Sequence, residues 1–177
     1  MTNRAVFLDR DGTMARDVSY CSRPEDFELF PGTARAVKRF RELGFKVIVV
    51  TNQSGIGRGY FSEETLAEIH DKMKKSLAEE GAHVDGIYYC PHHPDDNCDC
   101  RKPRLGMIRR AVQDHDIDLG QSFVIGDLTF DIGLGKAAGT RTILVGVSPS
   151  DEAIALEPDA VVPDLQAAVQ TILRWEE

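Results

Sequence analysis

Short, nearly unbroken apolar runs alternate along this chain with longer segments in which apolar residues recur every three or four positions. The longer segments have the period of amphipathic helices. The short runs have the length and composition of buried strands, and they lie at residues 5–8, 45–50, 84–89, 123–127 and 141–145. This alternation predicts an α/β fold, a three-layer, Rossmann-like open parallel sheet with helices on both faces. A short sixth strand is expected at residues 160–162.

Capping residues mark where the helices begin and end. Ser62 precedes Glu63 and Glu64, which is the pattern of a helix N-terminus, and Gly44 follows the last apolar position of the first helix. The predicted helices lie at residues 33–43, 62–81, 105–115, 130–138 and 164–175. In an open parallel sheet with such helices, ligands bind at the carboxyl ends of the strands.

Length and charge narrow the class of protein. The chain has 177 residues, which fits a single domain over residues 1–177. Its net charge of −8 argues against nucleic acid or an anionic membrane as the main partner. No apolar run approaches the roughly 20 residues that span a bilayer, and no leader signal is evident. We therefore expect a cytoplasmic monomer that acts on a small molecule, without a nucleic-acid or membrane partner.

Polar residues stand at the predicted carboxyl ends of the strands. Asp9 and Asp11 follow the first strand, and residues two apart in an extended segment project to the same side. Two carboxylates in one small space need a cation, a proton or an electrophilic phosphorus between them. Asp127 and Asp131 follow the fourth strand, so carboxylates from two strand ends are expected to form an oxygen-rich site that suits Mg²⁺.

The other strand ends carry groups that bind phosphate. Thr51 and Asn52 follow the second strand, and Lys102 lies in the long connection after the third. A lysine and neutral hydrogen-bond donors stabilise the charge of a phosphate. Together with the carboxylates, these residues indicate phosphoryl chemistry.

Four short motifs in this order resemble those of the haloacid dehalogenase (HAD) superfamily of phosphatases. The resemblance covers nearly the whole chain. The motifs stand here as Asp9-Arg10-Asp11-Gly12-Thr13, Val50-Thr51-Asn52, Lys102, and Gly126-Asp127 with Asp131. Each motif alone is a weak signal, but four in order at strand ends are specific.

The resemblance implies a role for each of these residues. Asp9 would be the nucleophile that forms an aspartyl-phosphate, and Asp11 the general acid and base. Mg²⁺ would be bound by the side chains of Asp9 and Asp127 and by the backbone carbonyl of Asp11. Lys102 and Thr51 would complete the catalytic group, with Asp131 in support. A carboxylate nucleophile forms a hydrolysable mixed anhydride, and the cations neutralise the charge that would otherwise repel it.

Three of the four cysteines cluster within eleven residues, at Cys90, Cys98 and Cys100. With a neighbouring histidine they would form a closed tetrahedral zinc site, which is structural because no ligand position stays open. Unligated thiols or a redox pair are the alternatives. The predicted zinc loop, residues 90–103, includes Arg101 and Lys102, so the metal would hold these phosphate-binding residues in place.

Three longer stretches resemble the D-glycero-D-manno-heptose 1,7-bisphosphate 7-phosphatase family within this superfamily. They are residues 51–56, residues 85–94 and residues 98–103. The resemblance places His92, rather than His93, in the zinc site. It implies removal of the 7-phosphate in heptose biosynthesis for lipopolysaccharide, with substrate contacts from Arg10, Asp17, Tyr20, Thr51, Asn52, Gln53, Ser54, Arg101 and Lys102.

Several features leave room for alternatives. Leu128 stands where many family members have lysine, and the short zinc loop is shared with histidinol-phosphate phosphatases, which are the second candidate. A non-catalytic phosphosugar-binding protein is a remote third. The zinc loop and residues 14–30 would form only a minimal cap. A bisphosphate substrate also needs a cation for its second phosphate, and Arg58 is a weaker candidate for this than Arg101. We expect His70 and His115 to be solvated and structural.

Overall fold

A six-stranded, all-parallel sheet forms the centre of the protein in the computed structural model, which describes residues 2–177. The strand order is β3-β2-β1-β4-β5-β6. The strands are β1 (Arg4–Leu8), β2 (Phe45–Asn52), β3 (Gly86–Cys90), β4 (Phe123–Gly126), β5 (Arg141–Val145) and β6 (Ala160–Val162). This is the strand order of a Rossmann-type sheet, in which the order reverses beside β1 and ligands bind at the carboxyl ends of the strands.

Helices connect the strands, and shorter 3₁₀ turns lie at Pro24–Asp26, Pro94–Asp96 and Leu119–Gln121. The helices are α1 (Thr33–Glu42), α2 (Ser54–Gly57), α3 (Glu63–Glu79), α4 (Gly106–His115), α5 (Thr129–Ala138), α6 (Asp151–Ile154) and α7 (Leu165–Glu176). No helix among residues 2–177 is long and apolar enough to cross a membrane.

Both faces of the sheet are covered, as the side chains of β1 show. Val6 and Leu8 pack into a core with residues of α1, α3 and α7, whereas Phe7 packs on the other side with residues of α4 and α5. Successive side chains of a strand point to opposite faces. The three-layer architecture predicted from the sequence is therefore confirmed.

The predicted elements are confirmed with small shifts at their ends. Strand β3 begins at Gly86, directly after Asp85, whose carboxylate accepts a hydrogen bond from the backbone N–H of Val47 at 2.8 Å. Helices α2 and α6 were not predicted. Each has only four residues, which is too short for a helical period to be visible in the sequence.

Residues 14–30 form a folded loop over the carboxyl end of β1. Its two ends pair with each other, since the N–H of Phe30 donates to the carbonyl of Met14 at 2.9 Å and the N–H of Arg16 donates to that of Glu28 at 3.0 Å. At the tip, Ser19 and Tyr20 have positive φ angles of 52° and 65°. Residues other than glycine adopt this conformation at a cost in energy, so the surrounding structure must hold the backbone of the tip in it.

Candidate active site

A cavity of about 320 Å³ lies at the carboxyl ends of β1, β2 and β4. The structure brings together at this cavity most of the site residues that the sequence predicted: Asp9, Asp11, Asp17, Tyr20, Thr51, Asn52, Gln53, Ser54, Arg101, Lys102 and Asp131. Ser19, which lies in the predicted contact range 17–20, also lines it, and so does Phe130, which was not predicted. The apolar ring of Phe130 carries no chemical signature in the sequence, so only the fold reveals its place at the cavity.

Three carboxylates meet at the floor of the cavity. Oxygens of Asp9, Asp127 and Asp131 lie within 4.8 Å of one another. Two glycines make this approach possible, since a Cβ at Gly12 would overlap the carboxylate of Asp127 and one at Gly126 would overlap that of Asp131. Such a group of oxygens is the donor set that a hard divalent cation prefers.

Burial and mutual repulsion make the charged form of this group costly. Burial raises the pKa of Asp9 well above its usual value, although the ammonium of Lys102 opposes this effect. Burial, with the charge of Asp131, raises the pKa of Asp127 to about 6. The hydroxyl of Thr13 donates to Asp127 at 3.0 Å and partly offsets the shift. The positive charge near these carboxylates is therefore too small to stabilise their ionised forms fully, and a bound cation would supply more.

Lys102 supplies part of that charge. Its ammonium donates to Asp9 Oδ1 at 2.8 Å, to Asp131 Oδ1 at 2.7 Å and to the carbonyl of Val50 at 2.9 Å. Burial alone would lower the pKa of Lys102, but Asp131 and Asp9 outweigh burial and raise it above its usual value. Asn52 fixes the backbone of this lysine, because its Oδ1 accepts from the N–H of Lys102 at 2.9 Å.

The carboxylate of Asp11 faces a different group. It is paired with Arg10, whose Nε and Nη2 donate to the two oxygens at 3.0 and 2.8 Å, and it also accepts from Gln53 Nε2 at 3.0 Å. The side chain of Asp11 thus lies outside the three-carboxylate group. Asp11 remains a candidate metal ligand only through its backbone carbonyl, as the resemblance implies.

Arg10 and His70 are placed differently from the sequence expectation. Arg10 is fully buried and does not line the cavity, so its guanidinium is unavailable to a substrate there. His70 is buried rather than solvated, and its Nε2 lies 3.1 Å from Arg10 Nη1. The helical pattern of α3 showed which face is buried but not that an arginine 60 residues away approaches it. His115 is half-buried, with its ring edge-on to Tyr88.

Neutral hydrogen-bonding groups from β2 and α2 form one wall of the cavity. Thr51 is buried, and its hydroxyl accepts a hydrogen bond from Gln53 Nε2 at 2.8 Å. The hydroxyl retains its own hydrogen for another partner. Donors of this kind suit the oxygens of a phosphate.

The outer part of the cavity combines one cation with apolar side chains. The guanidinium of Arg101 lies over the ring of Phe130, and its Nη1 is buried without a hydrogen-bond partner among residues 2–177. Leu128, which is 47% exposed, also lines the cavity. Tyr20 lines it too, with its ring edge-on to Tyr60 and beneath the guanidinium of Arg58. A buried guanidinium nitrogen without a partner is unusual, which makes this end of the cavity suited to an anion.

Beside the cavity, the structure brings together the four predicted zinc ligands. The ligand atoms of Cys90, His92, Cys98 and Cys100 lie within 4.8 Å of one another, with His92 Nδ1 3.2 Å from Cys100 Sγ. His93 lies outside the group, since its Nδ1 accepts a hydrogen bond from the N–H of Asp95 at 3.1 Å. The donor set is that of a closed, four-coordinate metal site.

Known proteins that are similar to this chain are HAD-like hydrolases and phosphatases, which agrees with the phosphate-binding groups of the cavity. Residues 99–168 match the family described as HAD-hydrolase-like. The chain is 44% identical over 149 residues to the D-glycero-beta-D-manno-heptose-1,7-bisphosphate 7-phosphatase of Haemophilus ducreyi, covering 80% of this chain and 82% of the relative. It is 43% identical over 169 residues to the D-glycero-alpha-D-manno-heptose-1,7-bisphosphate 7-phosphatase of Burkholderia mallei, covering 92% and 89%.

A similar solved structure is that of the D,D-heptose 1,7-bisphosphate phosphatase of B. bronchiseptica, complexed with magnesium and phosphate. It superposes with a TM-score of 0.88 at 36% identity and covers 97% of this chain and 98% of that one. Sequence and fold thus agree over almost the full length of both proteins. The chain belongs to the heptose-1,7-bisphosphate 7-phosphatase family of HAD phosphatases.

Proposed function

We propose that this protein is a Mg²⁺-dependent phosphatase that removes the 7-phosphate of D-glycero-D-manno-heptose 1,7-bisphosphate through an aspartyl-phosphate. The observation that carries the proposal is the position of Asp9, which lies at the floor of the cavity between the ammonium of Lys102 and the carboxylates of Asp127 and Asp131. The names of its relatives support the choice of substrate.

The residues present fit a magnesium ion. The pKa values of Asp9 and Asp127 are raised even though Lys102 is present, and a divalent cation would favour the ionised forms of both carboxylates. The side chains of Asp9 and Asp127, with the backbone carbonyl of Asp11, would hold the ion. When bound, it polarises the phosphoryl oxygens and neutralises negative charge at the reacting phosphorus.

In the first step, a carboxylate oxygen of Asp9 attacks the phosphorus and the bond from phosphorus to the sugar oxygen breaks. Asp11 transfers its proton to that oxygen, so the sugar leaves as an alcohol. Lys102 favours the ionised form of Asp9, because its ammonium lies 2.8 Å from the attacking carboxylate and opposes the effect of burial on the pKa of Asp9. Thr51 and Asn52 are placed to donate to the oxygens of the transferred group.

In the second step, water attacks the phosphorus of the aspartyl-phosphate. Asp11, now a carboxylate, takes a proton from that water, and Asp9 leaves as a carboxylate. Inorganic phosphate is released, and both aspartates return to their starting protonation states. In this form both oxygens of Asp11 can accept the two hydrogen bonds from Arg10, which orient the carboxylate.

The outer cavity would hold the second phosphate of the substrate. Arg101 offers a buried nitrogen without a partner, and the loop that carries it is continuous with the cysteine cluster. We propose that Zn²⁺ bound by Cys90, His92, Cys98 and Cys100 is structural and fixes Arg101 and Lys102 in position.

The test is phosphate release by the purified protein with Mg²⁺, comparing both anomers of the heptose 1,7-bisphosphate with histidinol phosphate. We expect the highest kcat/KM for one of the heptose bisphosphates. Asp9→Asn is the control, because it keeps the shape of the side chain but removes the nucleophile, and turnover should fall at least ~10³-fold. Substantial turnover by this variant would contradict the aspartyl-phosphate mechanism.

Other outcomes would assign a different function. A preference for histidinol phosphate would move the protein to that second substrate with its mechanism unchanged. Binding of the heptose bisphosphate without any phosphate release would favour a phosphosugar-binding protein.

A further inference from the structure

His70 belongs to no motif of the sequence, yet it is connected to the proposed general acid and base through one residue. Its Nε2 lies 3.1 Å from Nη1 of Arg10, and the Nε and Nη2 of the same guanidinium donate to the carboxylate of Asp11. Arg10 is fully buried and His70 is 6% exposed. The three side chains form a single hydrogen-bonded chain that runs from the buried face of α3 to Asp11 at the cavity.

The chemistry of the contact settles the state of the imidazole. A guanidinium carries only donors, so Nε2 of His70 must be the acceptor and its proton must sit on Nδ1. The imidazole is therefore neutral. Burial and the charge of Arg10 lower the pKa of His70 to about 3, which agrees with this state.

The contact also restricts the guanidinium. Its planar group can turn about the bond from Cδ to Nε, and that turn would swing Nη2 away from Asp11. The acceptor on His70 holds Nη1 and so opposes the turn, while the ring of Phe27 lies 5.7 Å from the guanidinium carbon. Arg10 is thus fixed on the side opposite to Asp11.

We infer that His70 is a positioning residue for the phosphatase reaction: it fixes Arg10, and Arg10 orients the carboxylate of Asp11 toward the leaving-group oxygen. This inference rests on the role of Asp11 in the proposed function. His70 touches neither the substrate nor the reacting atoms. Its loss should therefore impair proton transfer by Asp11 more than any other step.

Two variants with an amide side chain test whether the hydrogen-bond acceptor of His70, rather than the size of its side chain, is what matters. In His70→Gln, the amide lies near the position of Nε2 and its oxygen can accept from Arg10. In His70→Asn, the amide lies near the position of Nδ1 and does not reach Arg10. Both variants are polar and uncharged, and thermal unfolding of each confirms that it folds.

The readout is kcat/KM for two phosphate esters with different leaving groups. An alkyl phosphate such as the heptose bisphosphate needs a proton on its leaving oxygen, whereas p-nitrophenyl phosphate releases a stable phenolate without one. For His70→Asn we expect a loss of about 10- to 100-fold on the heptose bisphosphate and less than about 3-fold on p-nitrophenyl phosphate. His70→Gln should stay within about 3-fold of the wild type on both.

If His70 had a merely structural role, His70→Asn would reduce kcat/KM equally on both esters, and this result would overturn the inference. Equal kcat/KM values for the Gln and Asn variants would overturn it too. His115→Asn is the matched control, because His115 is a half-buried histidine on α4, and it should change neither value. If the wild type hydrolyses histidinol phosphate but no heptose bisphosphate, the proposed substrate is wrong and histidinol phosphate serves as the alkyl ester. If the wild type hydrolyses no alkyl phosphate ester, both the proposed function and the inference about His70 are wrong.

Discussion

The ammonium of Lys102 lies 2.8 Å from Asp9 Oδ1, where it is shared with Asp131 at 2.7 Å. Both ends of the contact are buried, with side-chain exposures of 3% for Lys102 and 8% for Asp9. A single cation therefore offsets much of the repulsion among three buried carboxylates. The same lysine supports both the stability of the fold and the ionised state of the nucleophile.

Replacing Lys102 by methionine should affect both properties. Removing one partner of a buried ion pair leaves uncompensated charge and costs about 3–5 kcal/mol, which urea unfolding would measure. We expect kcat to fall at least ~10²-fold, since the cation that favours the ionised form of Asp9 is lost. Lys136→Met is the matched control, because Lys136 is exposed on α5. An unchanged kcat in Lys102→Met would contradict the role of this lysine.

Loss of the cysteine cluster should reduce activity through the position of Lys102. In Cys98→Ser we expect the bound zinc, measured by elemental analysis, to fall from about one ion per chain toward zero, since structural sites need all four ligands. Phosphatase activity should fall with it. Cys21→Ser is the control, because Cys21 is buried outside the cluster. A zinc-free wild-type protein with full activity would contradict this prediction.

Leu128 gives a prediction about substrate affinity. Its side chain is 47% exposed at the cavity, so a lysine there would add a cation close to the bound substrate. In Leu128→Lys we expect KM for the heptose bisphosphate to fall about 3- to 10-fold at low salt, with the gain reduced at high salt. The control is Leu156→Lys, because Leu156 is 41% exposed but does not line this cavity. An equal change in both variants would point to a general effect of charge.

The neutral state of His70 predicts a dependence of stability on pH. Its pKa is lowered from 6.5 to about 3 in the fold, so the unfolded chain binds a proton that the folded chain excludes. This contribution to stability is complete above pH 6.5 and is lost progressively as the pH falls toward 3. Between pH 7 and 5, the free energy of unfolding of the wild type should fall by about 2 kcal/mol more than that of His70→Gln. Parallel pH profiles would contradict the buried, neutral histidine.

The fold and the floor of the site were predictable from the sequence because both depend on local patterns. Apolar runs mark the strands, and the polar residues that follow each run mark the edge where ligands bind. Gly12 and Gly126 belong to the same motifs, because Gly12 directly follows Asp11 and Gly126 directly precedes Asp127 in the chain. Strand positions and motif residues can therefore be recognised from residues that are close together in the chain.

Arg10 and His70 show where this reasoning ends. Arg10 stands between two aspartates that face the cavity, and its sequence position alone makes it a candidate substrate ligand. An extended segment sends neighbouring side chains to opposite sides, so Arg10 points into the protein instead. His70 occupies an apolar helical face, where nothing in the sequence distinguishes a solvated histidine from one that accepts a hydrogen bond from a buried arginine.

The all-parallel order of the sheet has a consequence for how activity appears during folding. Each parallel neighbour is reached only through a crossover connection, so β1 must pair with strands from distant parts of the chain before the nucleophile meets its lysine 93 residues away. Topologies of this kind fold slowly because loop closure precedes the contacts that reward it. In a refolding experiment, recovery of phosphatase activity should therefore lag behind recovery of helical circular dichroism, since helices form locally whereas the active site requires the assembled sheet.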